Sequence, residues 1–185
     1  MPNTTDNFDI PFLDGTELVR DYPQFSEDLA EAIDDALSDV ALGAGKILQV
    51  VYGSTTAGVT NTSLTLADTG LSATITPTSA SSKILVVFNQ SLQFMANSGL
   101  GVLAQVVLFR GSTSVATMRI RALSSSDIWR QHRSDSLVFL DSPNTTSATT
   151  YKTQFSLAES TGGGRLVRVQ EASGLSGITL LEVAD

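Results

Sequence analysis

From Lys46 onward the apolar residues recur at every second position in short runs, and this alternation constrains the fold more than any other feature. The runs are Ile47 to Tyr52, Ser63 to Ala67, Ser72 to Thr76, Lys83 to Met95, Gly101 to Arg110, Val115 to Ala122, Ser136 to Leu140, Thr149 to Leu157, Arg165 to Gln170 and Gly177 to Val183, with Gly, Ser, Thr, Asn or Pro between most of them. Many short strands with turn formers between them, and no helical pattern interleaved, predict a mainly β domain: an antiparallel β-sandwich of jelly-roll type over residues 45–185. Tyr151, Thr153, Phe155 and Leu157 share one face of their run, with Lys152, Gln154 and Ser156 on the other. Ile84 to Phe88 and Val106 to Phe109 are apolar on both faces. Strands of that kind need a second covering layer, from the same domain or from another subunit.

Before the sandwich the period is different. Leu29, Ile33, Leu37 and Val40 are spaced by four, four and three, with Ala36 beside them, which predicts one amphipathic helix over 23–44 with a narrow apolar stripe. Asp21 or Ser26 caps it, Pro23 fits its first turn, and Gly43 and Gly45 stop it. Residues 1–22 carry Phe8, Ile10, Phe12, Leu13, Leu18 and Val19 among acids, Pro11 and Asp14-Gly15, and so read as an extended arm with apolar anchors.

Charge divides the chain at the same place. Residues 1–45 hold eleven acids against Arg20 alone, a net of −10, whereas residues 46–185 hold eight acids against ten bases. The acidic part repels nucleic acid and the β part is too weakly basic to attract it, so no nucleic-acid partner is expected. Cysteine is absent, which removes disulfides and thiolate chemistry. No run approaches the ~18 to 20 apolar residues that span a bilayer, and no membrane insertion is expected.

Catalytic patterns are scarce. His132 lies in Arg130-Gln131-His132-Arg133-Ser134-Asp135-Ser136, but neighbours on a strand point to opposite faces, so adjacency is not a triad. A polysaccharide-cleaving site needs two carboxylates in a groove, and the β part supplies only Asp68, Asp127, Asp135, Asp141, Glu159, Glu171, Glu182 and Asp185. No enzymatic activity, metal or cofactor is expected. The one unusual cluster is Arg119, Arg121, Trp129, Arg130, His132 and Arg133, a candidate surface for sugars or anionic groups, with ion pairing to neighbouring acids as the structural alternative.

Several stretches resemble a known group of proteins. Gly45-Lys46-Ile47-Leu48-Gln49-Val50-Val51, Leu66 to Pro77 (LADTGLSATITP), Ser79 to Val86 (SASSKILV) and the ending Ile178 to Val183 resemble a β domain of tailed-bacteriophage fibre and virion structural proteins. Phe12-Leu13-Asp14-Gly15-Thr16, Val19 to Pro23 and Ser26 to Ala30 are similar to the start of tail-fibre proteins that dock on the tail. The resemblance implies a virion component, commonly a homotrimer, that contacts another virion protein of the tail or capsid through residues 1–45, with 1–22 as the attachment arm, and displays the β domain outward, with host-surface glycans as a ligand class. It implies a short tail fibre or tail tip in the viral tail, or alternatively a capsid decoration or head-fibre protein that stabilises the shell. Three copies would bury Leu29, Ile33, Leu37 and Val40 against one another, while the helix acids would face a basic partner.

Overall fold

The computed structural model describes residues 3–4, 11–12, 27–35, 45–97, 101–123, 128–159 and 164–185. The chain divides into two compact units, Met1–Lys46 and Ile47–Asp185.

In the first unit, β1 (Asn3–Thr4) pairs antiparallel with β2 (Pro11–Phe12). Part of the arm expected to be extended is therefore folded back on itself. A helix, α1, covers residues 27–35. Along it Leu29 is half-buried, but Ile33 of the same stripe is 41% exposed. Leu37 and Val40, and the attachment anchors Phe8, Ile10, Leu13, Leu18 and Val19, lie outside the described residues, and Phe12 is the last residue of β2.

The second unit is an antiparallel sandwich. It contains β3 (Ile47–Thr55), β4 (Val59–Asn61), β5 (Ala67–Ile75), β6 (Lys83–Asn97), β7 (Val102–Arg110), β8 (Thr113–Ala122), β9 (Ile128–Asp141), β10 (Thr149–Leu157), β11 (Leu166–Val169) and β12 (Ser176–Val183). One sheet has the order β5-β10-β7-β8; the other has the order β3-β12-β6-β11-β4, with β9 on the free side of β6. Apart from the β7–β8 hairpin and the two pairs of segments described next, each connection carries the chain from one sheet to the other, as in a jelly roll.

The larger sheet is built from four long ribbons, two of them interrupted. β6 pairs with β9 along its whole length, while its other edge pairs with β12 up to Asn89 and with β11 from Leu92. β3 and β4 repeat the break alongside, at Thr56 to Gly58. Backbone groups freed where strands exchange partners must find others. The Ser176 hydroxyl accepts from the Ser91 N–H at 2.9 Å, and the Gln170 N–H donates to the Ser91 carbonyl at 3.2 Å. Around this fault runs a buried polar seam. Gln90 Nε2 donates to Ser176 Oγ, Thr153 Oγ1 donates to Gln90 Oε1, and the Thr69 and Thr153 hydroxyls are 2.6 Å apart. The Gln170 amide completes it when its nitrogen faces the Ala57 and Thr69 carbonyls and its oxygen faces Gln90.

On either side of the seam the core is apolar. Ile84, Val86, Phe88, Leu92 and Phe94 of β6 meet Leu71, Ile75, Val106, Leu108, Tyr151 and Phe155 of the opposite sheet, all essentially without solvent exposure. At one margin the sheets come very close: a Cβ on Gly53 would lie 2.1 Å from the Ser72 carbonyl oxygen. Only glycine admits that approach of β3 to β5.

Two expectations are corrected by local chemistry. Ser63 to Ala67 is largely a turn, because the Asn61 amide holds the Ser63 N–H and hydroxyl, the Thr65 carbonyl and the Phe155 carbonyl. The strand expected at Ser136 to Leu140 begins at Ile128, since the polar run Arg130 to Ser136 pairs residue by residue with β6.

Candidate functional site

The ligand cluster predicted from sequence is not one site. On β8, Ile120 and Ala122 point into the core, so Arg119 and Arg121 stand exposed on the outer face of the four-stranded sheet. On β9, Trp129 and Asp141 are buried and Leu137 and Phe139 pack on the core, which turns Arg130 and His132 to the outer face of the other sheet. Arg133 is on the inward-facing line of this edge strand, opposite the core residue Leu92, and pairs with Asp135. Alternation along two strands of different sheets thus sends these residues to three surroundings. Trp129, 7% exposed, is a core residue and offers no face to a sugar.

Ion pairing accounts for part of the cluster and for the acids. Arg121 bonds Glu159 at 3.1 Å, Arg168 bonds Glu171 at 3.4 Å, Lys152 bonds Asp68 at 3.2 Å and Lys83 bonds Asp185 at 2.8 Å. Asp141 receives Arg110 on both oxygens at 2.9 Å and the Tyr151 hydroxyl at 2.7 Å. Glu182, fully buried, accepts from Gln49 Nε2 at 2.6 Å and from the Thr78 N–H and hydroxyl at 2.7 Å. Burial by itself pushes the Glu182 carboxyl up, but the bonds from Gln49, Thr78 and Ser82 outweigh it and hold it at about 2. Every acid of the β part except Asp127, which is outside the described residues, is engaged in this way. Among the described residues no cluster of His, Asp and Glu is arranged to hold a metal ion, and no helix is long and apolar enough to cross a membrane.

Two surfaces remain as places for contact. The first is the outer face of the four-stranded sheet, where Gly70, at φ 80°, forms part of a bulge in β5. Beside it is a depression of about 260 Å³ lined by Asp68, Gly70, Leu71, Ser72, Lys152 and Thr153. Gln154 donates to Asp68 at 2.9 Å, and this bond, opposed by partial burial and aided by Lys152, lowers the Asp68 carboxyl below its ordinary range.

The second is the outer face of the six-stranded sheet, which the fault divides into unlike halves. On one side, Leu140, Leu85, Leu181 and Val50 form a row across four strands, and Val138, Val87, Thr179 and Tyr52 form the next. Val138 is 64% exposed, Tyr52 60% and Val50 59%. On the far side, Arg168 donates to Gln93, whose amide nitrogen is 2.9 Å from His132 Nε2, and Arg130 projects beside them. The apolar half was foreshadowed by the two-faced run Ile84 to Phe88; Gln93 and Arg168 carried no sequence signal, since they join His132 only through pairing.

No protein-family model and no curated protein sequence matches this chain.

Proposed function

We propose that this chain is a structural protein of a bacteriophage particle, most simply a short homotrimeric tail fibre or tail-tip protein. In this reading the N-terminal unit docks on another virion protein and the sandwich is displayed outward. The observation that carries it is the coincidence of two divisions: the chain splits at Lys46 into two compact units, and the whole excess of negative charge lies in the first. An acidic segment with apolar anchors suits a basic socket, and a nearly neutral sandwich suits display. In this reading the sandwich serves display, and its described acids take part in ion pairs and hydrogen bonds within the fold. Host-surface contact falls to the outer face of the four-stranded sheet, where Arg119 and Arg121 are exposed.

Labelling of intact particles tests the reading. Antibodies against the sandwich should bind intact particles, and antibodies against residues 1–45 should bind only after disassembly. Label on the shell instead of the tail assigns the capsid-decorating role. Absence of the chain from purified particles removes both.

A further inference from the structure

Among the described residues of the sandwich, none covers the apolar half of the six-stranded sheet's outer face. Val50, Tyr52, Leu85, Leu181, Val138 and Leu140 occupy adjacent positions on four strands, and the four outermost by register, Val50, Tyr52, Val138 and Leu140, are more than half exposed. Contiguous apolar patches of this kind mark contact surfaces on soluble proteins.

We infer that this half-face is where copies of this chain meet, an inference that rests on the oligomeric reading above and assigns its surface. Size supports it. Four strands ~4.8 Å apart, each contributing four outward residues ~6.8 Å apart, span roughly 19 by 27 Å. That is about 500 Å² in projection per copy, or about 1,500 Å² summed over three copies turned to a common axis, within the range of specific interfaces. Charge supports it as well. The only charged side chain on these rows is Lys83 at the rim, already paired with Asp185 at 2.8 Å. Three copies of this face can therefore surround one axis without opposing like charges, although the whole chain carries −8. The outer face of the other sheet, with Arg119, Arg121, Asp68 and Lys152, offers no such self-match. Tyr52 lies across Gly177, where an added Cβ would meet its hydroxyl at 2.7 Å. Its ring thus extends the apolar surface to the fault, and its hydroxyl marks the border with the polar half.

Sedimentation of the full-length chain and of a Val138→Glu, Leu140→Glu variant provides the test. The parent should sediment as an oligomer, and the variant should associate at least ~100-fold more weakly with an unchanged β circular-dichroism spectrum, because each buried unpaired carboxylate is strongly unfavourable. The chain has no cysteine, so a Val138→Cys variant gives a second measurement should the double variant fail to fold. A short bis-maleimide should join copies through position 138 and not through Thr117→Cys on the opposite sheet. A folded double variant with the parental mass, or equal cross-linking at both positions, overturns the face and leaves the oligomeric reading standing. A parent that is monomeric at all concentrations overturns both, and binding of that monomer to phosphatidylcholine vesicles would assign the face to lipid instead.

Discussion

Glu182 and Asp141 lie in one cross-strand row on the inner side of the six-stranded sheet, one on each side of Ile84. Both carboxylates are buried at the end of the apolar core, and each is saturated by a different part of the chain. Glu182 holds Gln49 of β3 and Thr78 of the β5–β6 connection. Asp141 holds Arg110 and Tyr151, which belong to the opposite sheet. A charge taken out of water is tolerated only when its lone pairs are met. Here meeting them closes the sandwich.

The first expected outcome concerns acid. The Glu182 carboxyl is held at about 2 in the folded state, against 4.5 as its ordinary value. The native state therefore binds fewer protons than the unfolded one between these limits, and stability contributed by the carboxylate is complete above about pH 4.5 and lost as the pH falls towards 2. The span corresponds to about 3 kcal/mol. Urea denaturation of the parent between pH 5 and 2 should show this loss. Glu182→Gln should be less stable by about 2 to 3 kcal/mol at neutral pH and show a shallower acid slope. Parallel slopes for the two proteins would contradict the assignment.

Tyr151 makes the complementary case in alkali. Burial, and then the bond to Asp141, raise its hydroxyl well above the ordinary tyrosine range. The folded state keeps the proton that the unfolded chain releases, so this stability is complete below about pH 10 and falls as the pH rises beyond it. Tyr151→Phe should cost about 1 to 2 kcal/mol at neutral pH by leaving one Asp141 oxygen with Arg110 alone. It should also flatten the alkaline limb of the stability curve.

Trp129 is the only tryptophan and is buried, so its emission should be blue-shifted and shielded from acrylamide in the native protein. Trp129→Ala should lower stability by about 3 to 5 kcal/mol, as expected for removing a core aromatic. Loss of adsorption in that variant would report unfolding and not a ligand contact. Arg119→Ala with Arg121→Ala is the informative pair, expected to leave the melting temperature within a few degrees while weakening attachment to the host surface.

Gly53→Ala should be among the most damaging small substitutions, at about 3 kcal/mol or more, because the added carbon meets backbone that cannot move aside. Gly111→Ala, at φ 58° with open space around it, should cost only about 1 kcal/mol. Comparing the two denaturation midpoints separates steric exclusion from backbone strain.

Period-two alternation made much of the sandwich legible. Tyr151, Thr153, Phe155 and Leu157, assigned to one face from sequence, are all buried on that face. The runs with two apolar faces were also informative: Ile84, Val86 and Phe88 enter the core, while Leu85 and Val87 lie half-buried on the outer face. Partner identity was not legible. Arg130 to Ser136 is polar on both sides because it belongs to an edge strand, and only its pairing with β6, about forty residues away, reveals it as a strand. Trp129 was grouped with its charged neighbours for the same reason. Glu182 did leave a signal: it is the one acid on the inward-facing line of Ile178 to Val183, a polar residue at a core position that needs partners.

The claim that an acidic unit attaches the chain while the sandwich is displayed is tested most directly by electron cryomicroscopy of the intact particle. The expected result is density for residues 1–45 seated in a basic socket of a neighbouring virion protein, with the sandwich outside it. Residues 1–45 facing solvent, with the sandwich as the attached part, would contradict it.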